Sequence, residues 1–275
     1  MPDSPAGPPA DRGAPTSVVT LEVPTTDGTA DAIVATPTTG GPHPGVLVFM
    51  DAFGLRPRLQ DMASRLASHG YAVLVPNVFW RSGRAPVVEL PDLKDPGARG
   101  AVFERLGPVM HALTPELAVR DADAWLDFLA RDGRVTDGPV GAVGYCMGGA
   151  LAIRTAAHAP ERVAAVATFH AGRLVTDAPD SPHHLLGTVG AEVYVAHADH
   201  DRSMPAEHQQ VVEDALASAG VAHWTELYEG AAHGFTMADT AAYDEAATER
   251  HWQALLDLFA RRLPQPARQP GPQSG

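Results

Sequence analysis

Five uninterrupted apolar runs, separated by helical patterns, constrain the fold of this chain more than any other feature. They are rich in valine and show little polar–apolar alternation, and they occupy residues 44–50, 71–76, 139–144, 163–169 and 191–197. Strands that are buried on both faces of a parallel sheet have this composition. Because helical segments separate the runs, the sequence predicts an α/β fold, a mainly parallel sheet with helices on both faces.

Further strands and helices complete this alternation. Residues 17–23 and 31–36 flank the turn residues T-T-D-G and predict an antiparallel pair, and residues 223–228 predict a last strand. The helical patterns cover residues 58–70, 116–131, 147–159, 205–219 and 243–262. Residues 82–114 contain several prolines and predict no regular element. We expect them to form an excursion near the carboxyl edge of the sheet, where folds of this kind bind ligands.

Both ends of the chain differ in composition from the part between them. Residues 1–16 are rich in Pro, Gly and Asp, and residues 263–275 are rich in Pro and Gln. Such segments bury too little apolar surface to offset the entropy of ordering them, so we expect two disordered tails. Residues 17–262 show no sign of a second core and are predicted to form a single domain.

Charge and cysteine content limit the partners and the compartment. The net charge is −13 and no cluster of Lys and Arg stands out, which argues against nucleic-acid binding. A single cysteine cannot form an internal disulfide bond. The N-terminal residues lack the pattern of a signal peptide, and no apolar run approaches the roughly 20 residues of a membrane span. We therefore expect a cytoplasmic protein with no nucleic-acid or membrane partner.

The stretch G-Y-C-M-G-G, residues 144–149, contains the single cysteine, Cys146, between a predicted strand and a predicted helix. A strand, G-x-nucleophile-x-G and a helix form a sharp turn that exposes the nucleophile at the edge of the sheet. Gly144 and Gly148 fit this turn, because a side chain at either position would collide with the neighbouring strand or helix. The helix N-terminus would favour the thiolate of Cys146. We interpret Cys146 as a nucleophile; the alternative is a small residue buried in the core.

Such a nucleophile requires a base and an acid that orients the base, each placed after a later strand. Asp201, in A-D-H-D-R-S-M-P, and His233, in E-G-A-A-H-G-F, follow the last two predicted strands in the expected order. Asp199 competes for the role of the acid because it lies nearer the end of its strand. We favour Asp201, which lies shortly before Pro205 at the start of the next predicted helix. The alternative for His233 is an exposed bystander in a loop.

Other polar residues near these motifs have alternative roles. A metal could be bound by the side chains of His197, Asp199, His200 and Asp201. Alternation along the end of a strand would send these side chains to opposite faces, so we expect no metal site. His170, in H-A-G-R-L, could reach the site or cap a strand, and we favour the cap.

The first buried parallel strand ends in V-L-V-F-M-D-A-F-G-L. In folds that use this turn, the loop after that strand provides one N–H group for the oxyanion and the residue after the nucleophile provides another. These groups belong to Ala52 and Met147. Asp51 would lie at the same edge, where its carboxylate could hold the thiol protonated or compete for the histidine. Its alternative role is to cap a turn.

Together these motifs resemble the dienelactone hydrolase family of the α/β-hydrolases over most of residues 17–262. The resemblance is carried by M-D-A-F-G-L, H-G-Y-A-V-L-V-P-N-V-F-W-R, G-Y-C-M-G-G, D-R-S-M-P and A-A-H-G-F. It implies the α/β-hydrolase fold and a triad of Cys146, His233 and Asp201. It also implies an oxyanion hole formed by the N–H groups of Ala52 and Met147.

The same resemblance implies roles for residues around the triad. In the family an acidic residue, usually Glu, engages the resting thiol, and Asp51 stands in that place. The family enzyme that opens dienelactones holds the substrate carboxylate with two arginines. Arg81 matches the first, whereas Met237 is found where the second is expected, after the histidine. We expect an apolar, aromatic pocket, with core packing as the alternative role of each ring: Phe53, Phe79, Trp80, Tyr145 and Phe235.

We therefore predict a hydrolase of a small ester or lactone, a carboxylesterase or lactonase, that forms an acyl-thioester on Cys146. We expect a small-molecule substrate, no metal or other cofactor, and a monomer or weak homodimer. One alternative is a thioesterase or acyltransferase that uses the same triad. Another is a non-catalytic α/β protein with a redox-sensing thiol.

Overall fold

The computed structural model describes residues 13–263 and builds them around one sheet of eight strands. The strands are β1 (Thr16–Pro24), β2 (Thr29–Pro37), β3 (Gly45–Phe49), β4 (Ala72–Pro76), β5 (Val140–Tyr145), β6 (Val163–Phe169), β7 (Glu192–His200) and β8 (His223–Ala232). Their order in the sheet is β1-β2-β4-β3-β5-β6-β7-β8. The pairs β1–β2 and β2–β4 are antiparallel and all later pairs are parallel, which confirms the predicted sheet.

The central strands are apolar because they have no solvent-facing side. Every residue of β3, β4 and β5 is buried. A strand covered by helices on both faces has no position where a polar side chain would meet water, so the polar–apolar alternation is lost.

Helices cover both faces of the sheet. They are α1 (Pro57–Ser68), α2 (Arg99–Ala112), α3 (Pro115–Arg131), α4 (Met147–His158), α5 (Ala206–Ser218) and α6 (Glu245–Arg262). Tyr145 of β5 reaches His251 of α6, whereas a Cβ on its neighbour Gly144 would lie 2.0 Å from the carbonyl oxygen of Gly148 in α4. Because successive residues of a strand point to opposite faces, α6 and α4 lie on opposite sides of the sheet.

Helix α2 is a correction to the sequence analysis, which predicted no regular element in residues 82–114. Pro108 lies inside this helix, where proline removes a backbone donor and is normally unfavourable. The helix nevertheless buries Val102 and Leu106, which are four residues apart and therefore lie on one face. Because of Pro108, the sequence analysis did not recognise the apolar face of α2.

The ends of the last two strands position the candidate site. Strands β7 and β8 run further than predicted, and His200 pairs with Ala232 where both strands end. Asp201 and His233 are therefore the next residues along two adjacent parallel strands. The carboxyl ends of parallel strands share one edge of the sheet, so the fold brings these two side chains together there.

The edges of the domain extend slightly past the predicted limits. Thr16 is the first residue of β1, and Leu263 is buried against the core. Residues 13–15 of the predicted N-terminal tail are also described, and Ala14 N donates to Ser68 O at 2.9 Å. The rest of the predicted tails, residues 1–12 and 264–275, lies outside the described residues. None of the helices in residues 13–263 is long and apolar enough to span a membrane.

Candidate active site

Cys146 occupies the turn between β5 and α4 in a strained conformation. Its φ of 55° and ψ of −121° are unusual for a residue with a side chain. A Cβ on Gly144 would lie 2.0 Å from Gly148 O, and a Cβ on Gly148 would lie 2.4 Å from Phe49 O. Both positions therefore require glycine, as the turn predicted from G-Y-C-M-G-G does.

Cys146, His233 and Asp201 form one continuous chain of hydrogen-bonding distances. Sγ of Cys146 lies 3.0 Å from Nε2 of His233. On the other side of the ring, Nδ1 of His233 lies 2.6 Å from Oδ2 of Asp201. The structure thus brings together the three residues predicted as nucleophile, base and orienting acid, with each ring nitrogen facing its expected partner.

Asp201, rather than Asp199, faces the histidine. Its second oxygen, Oδ1, accepts hydrogen bonds from the backbone N and the hydroxyl of Ser203, at 2.8 and 2.6 Å. Burial acts to raise the pKa of Asp201, but the bonds from His233 and Ser203 outweigh it and lower the pKa. Asp199 is exposed and accepts a bond from Gly230 N.

The surroundings of His233 keep its ring protonated. Burial acts to lower the pKa of His233, but Asp201 and Cys146 outweigh it and raise the pKa to about 10. A protonated ring at Nε2 can give a proton to a group bound in front of the sulfur.

His170 directly follows β6, and its ring packs against the ring of His233. The two rings meet edge to face with centroids 5.3 Å apart. His170 Nε2 lies 2.8 Å from Thr236 Oγ1, and its Nδ1 is buried without a hydrogen-bond partner among the residues described. Burial, followed by the charge of His233, holds the pKa of His170 well below its ordinary value. The neutral ring of His170 therefore packs against the protonated ring of His233.

A cavity of about 500 Å³ opens above the sulfur. Cys146, Asp201 and His233 lie in its wall, with Arg173, His200, Arg202 and the apolar side chains of Phe103, Met110 and Met147 around them. A larger cavity of about 730 Å³ lies between β1 and α3 and is lined by none of the three hydrogen-bonded residues. We assign the candidate site to the smaller cavity because it contains the reactive group.

Comparison with known proteins agrees with this geometry. Residues 30–263 match the model of the Dienelactone hydrolase family. This chain belongs to the dienelactone hydrolase family. A carboxymethylenebutenolidase of Rhodococcus opacus is 28% identical over 234 residues, which cover 79% of this chain and 81% of the relative.

Solved structures agree with the fold. A dienelactone hydrolase-like promiscuous phosphotriesterase from metagenomic libraries superposes with a TM-score of 0.72 at 24% identity, covering 90% of this chain and 99% of that one. A dienelactone hydrolase of Anabaena variabilis gives 0.64 at 19% identity, with the same coverages of 90% and 99%. The chain is thus a dienelactone hydrolase-like hydrolase with the α/β-hydrolase fold.

The two predicted oxyanion donors, Met147 and Ala52, belong to segments near the turn of Cys146. Met147 is the first residue of α4, so its N–H has no acceptor within the helix. Ala52 follows β3, which pairs directly with β5. Both N–H groups therefore belong to segments that adjoin the turn, since a Cβ on Gly148 would lie 2.6 Å from Met50 O.

Asp51 is placed differently from the acidic residue of the family. It is buried, and Arg56 binds both of its oxygens, at 2.7 and 2.9 Å. Oδ1 also accepts a bond from Phe53 N at 3.1 Å, so a turn-capping role is present as well. The expectation that Asp51 engages the thiol is corrected: among the described residues, the hydrogen-bonding partner of Cys146 Sγ is His233.

Arg81 and Trp80 do not line the cavity of Cys146. Arg81 forms a bidentate ion pair with Asp121, at 2.6 and 2.9 Å, and a further bond with Asp27. Trp80 donates to the same Asp121. Because two carboxylates neutralise Arg81, it is not free to hold the carboxylate of a substrate, and this expectation is corrected.

The predicted aromatic pocket is also corrected. Tyr145, Phe235 and Phe79 are buried core residues, and Tyr145 bonds His251 on α6 while Phe235 stacks on Tyr228. Phe53 does not line the cavity of Cys146 but borders a neighbouring one, and its ring contacts Phe103 in the wall of the Cys146 cavity. The packing alternative holds for the three buried rings, whereas Phe53 is half-buried at the edge of a cavity.

Several residues of the site were not singled out from the sequence. Arg202 and Ser203 directly follow Asp201, and Arg173 belongs to the H-A-G-R-L segment. The signal for the first two was their position after β7. Phe103 and Met110 come from α2, the helix that the sequence analysis did not predict.

Proposed function

We propose that this chain hydrolyses small esters or lactones with Cys146 as the nucleophile, His233 as the acid–base group and Asp201 as its orienting acid. The observation that carries the proposal is the hydrogen-bonded sequence Cys146–His233–Asp201 in the wall of an open cavity. Membership in the dienelactone hydrolase family supports it.

In the first half of the reaction the thiolate of Cys146 attacks the carbonyl carbon and the electron pair of the carbonyl moves onto oxygen. The N–H groups of Met147 and Ala52 hold this oxyanion. As the intermediate collapses, the imidazolium of His233 gives its proton to the leaving oxygen. An ester releases an alcohol at this point, whereas a lactone opens and stays attached through the thioester.

In the second half a water molecule attacks the thioester. His233, now neutral, takes a proton from this water, and the collapse of the second intermediate expels the thiolate as the acid product forms. The imidazolium–thiolate pair is thereby restored. Asp201 keeps the ring in the tautomer that directs Nε2 at the reacting atoms throughout.

The cavity also bears on the substrate class. Arg173 and Arg202 lie in its wall, and neither guanidinium is paired with a carboxylate in residues 13–263. Arg173 N lies 3.4 Å from Ser203 O, so the two arginines come from adjoining segments. We propose that they, rather than Arg81, attract an anionic group of the substrate.

The test is a hydrolysis screen of aryl esters, simple lactones and carboxylated butenolides, with wild type and Cys146→Ala, alongside labelling by iodoacetamide. We expect hydrolysis by wild type, its loss in Cys146→Ala by roughly 10³-fold or more, and alkylation of Cys146 faster than that of a free thiol. Full activity in Cys146→Ala would contradict the proposal. So would transfer of the acyl group to an added thiol or alcohol in clear preference to water, which would indicate an acyltransferase.

A further inference from the structure

Arg56, which precedes α1, connects three segments around the candidate site. Its Nη1 and Nη2 donate to the two oxygens of Asp51, at 2.7 and 2.9 Å, and Nη1 also donates to Gly54 O at 3.1 Å. Its Nε and Nη2 donate to the two oxygens of Asp239, at 2.5 and 3.2 Å. One guanidinium therefore binds two carboxylates that are far apart in sequence.

The burial of the ion pair between Arg56 and Asp51 argues against a purely stabilising role. Arg56 is 8% exposed and Asp51 is 3% exposed. Taking two charges out of water costs free energy that their attraction only partly returns, and well-packed apolar side chains often stabilise a core as much or more. The five hydrogen bonds of the Arg56 guanidinium fix the positions of the segments that it binds.

Each partner of Arg56 belongs to a segment that carries a functional group. Asp51 and Gly54 flank Ala52, whose N–H is one of the two proposed oxyanion donors. Asp239 lies in the loop that follows His233. A second arginine strengthens the same link, since Arg58 Nη2 donates to Thr236 O at 2.6 Å in that loop. The oxyanion segment and the histidine segment are thus joined through the start of α1.

Asp51 also lies close to the turn that carries the thiol. A Cβ on Gly148, two residues after Cys146, would lie 2.4 Å from Phe49 O and 2.6 Å from Met50 O. Asp51 is the next residue after Met50, so it adjoins this contact. A free carboxylate at that position would oppose the thiolate by charge repulsion or compete with Asp201 for His233.

We propose that Arg56 is a positioning residue with two effects: it holds the Ala52 segment against the His233 loop, and it withholds the Asp51 carboxylate from Cys146. The first effect rests on the proposed hydrolase function. The second concerns only the state of the thiol. Arg56 does not line the cavity, so it acts through the segments that it binds.

The other ionisable groups around the thiol are not changed by substitutions of Arg56, Asp51 or Asp239. They are His233 and Asp201, the neutral His170 behind His233, and Arg173, His200 and Arg202 in the cavity wall. A change in the pH dependence of Cys146 in an Arg56 variant can therefore be attributed to Asp51 or to displacement of the two loops. Removing Asp51 as well separates these causes.

Three variants are compared with the control Arg65→Met. They are Arg56→Met, Asp239→Asn and the double variant that combines Asp51→Asn with Arg56→Met. Arg65 is an arginine of α1 that pairs with Glu249 at the surface and is the matched control. Two quantities are measured on the whole chain: the rate of Cys146 alkylation by iodoacetamide from pH 5 to 10, and kcat and KM for a neutral aryl ester. Circular dichroism checks that each variant is folded.

In Arg56→Met we expect the midpoint of the alkylation profile to move up by about one pH unit and kcat to fall about 10- to 100-fold with KM changed by less than about 3-fold. The double variant should return the midpoint to that of wild type while kcat stays low. Asp239→Asn should lower kcat and leave the midpoint unchanged, since Asp51 keeps its partner. Arg65→Met should match wild type in both.

The proposal is overturned if Arg56→Met keeps the wild-type midpoint and kcat, or if the double variant alkylates like Arg56→Met. Should Arg56→Met fail to fold, Arg56→Lys and Asp239→Asn decide: a wild-type kcat in both rejects the positioning role. If wild type hydrolyses no ester, the proposed function fails by itself. The alkylation midpoints still test whether Arg56 withholds Asp51 from the thiol.

Discussion

Asp201 and Ser203 are joined by two hydrogen bonds, because Oδ1 of the carboxylate accepts from both the backbone N and the hydroxyl of Ser203, at 2.8 and 2.6 Å. Only Oδ2 is then directed at His233, at 2.6 Å from Nδ1. Ser203 therefore orients the acid in the same way that the acid orients the base. This relationship separates Asp201 from Asp199 and leads to the first prediction.

Asp201→Asn should lower kcat by roughly 10²- to 10⁴-fold, because an amide stabilises the imidazolium poorly and can favour the wrong tautomer. Asp199→Asn is the matched control, since Asp199 is exposed and bonds only the backbone of Gly230 among the described residues. Its kcat should stay within about 3-fold of wild type. Steady-state hydrolysis of an aryl ester measures both, and equal losses in the two variants would contradict the assignment.

The free energy of unfolding should depend on pH through His233. The pKa of His233 is raised to about 10, above the ordinary histidine value of about 6.5. Protonated His233 therefore contributes stability fully below about pH 6.5, and this contribution is lost as the pH rises towards 10.

Chemical denaturation of wild type and His233→Gln from pH 6 to 10 measures this dependence. The advantage of wild type over the variant should be largest at pH 6 and shrink by pH 10. His200→Gln, a change at an exposed histidine of the same cavity, should show a difference that is constant from pH 7 to 10. A constant difference for His233→Gln as well would mean that its ring is not held protonated.

Arg173 and Arg202, which pair with no carboxylate within residues 13–263, should select for charge on the substrate. In Arg173→Gln with Arg202→Gln, kcat/KM for a carboxylated butenolide should fall about 10- to 100-fold, since a hydrogen bond to a charged group contributes about 1.5–3 kcal/mol. A neutral aryl ester should change by less than about 3-fold. Paired kinetics on the two substrates measure this selectivity.

Arg81→Gln is the control for that experiment, because Arg81 is bound to Asp121 and Asp27 and lies outside the cavity wall. Its selectivity should equal that of wild type, although its stability can fall. The opposite result, with selectivity lost in Arg81→Gln and retained in the double variant, would mean that Arg81 binds the substrate carboxylate.

The turn at Cys146 should tolerate no side chain at Gly148. In Gly148→Ala the new Cβ would lie 2.4 Å from Phe49 O, so we expect the free energy of unfolding to fall by about 1–3 kcal/mol or more. Gly100→Ala in α2 is the control, because nothing lies within 4 Å of its Cβ. Its stability should stay the same or rise by up to about 1 kcal/mol. Thermal unfolding measures both, and equal Tm values would show that the turn relaxes without cost.

Most of the fold could be predicted because burial on both faces leaves a strong mark on a strand. Residues 163–169 were predicted as a strand and form β6 over the same residues. Helix α2 escaped prediction because the signal of Pro108 is local and negative, whereas the gain from burying Val102 and Leu106 depends on distant partners. Tertiary packing decides such cases.

The candidate site could likewise be predicted from the sequence only in part. Cys146 and His233 could be located because glycines and chain order mark them. Tyr145 could not be assigned to core or pocket, because only the tertiary structure shows that α6 covers its side of β5. Asp51 was misjudged although its partner Arg56 is only 5 residues away, because the sequence does not show which carboxylate an arginine faces.

The sequence by itself determined the parallel sheet, the sharp turn at Cys146 and the order of nucleophile, acid and base, since each depends on residue type within a short stretch. Only the tertiary structure decided which carboxylate faces His233, that Asp121 binds Arg81 and that Asp239 binds Arg56. Charged groups have several possible partners of opposite charge, and the choice among them is made by distances between segments that are far apart in the chain.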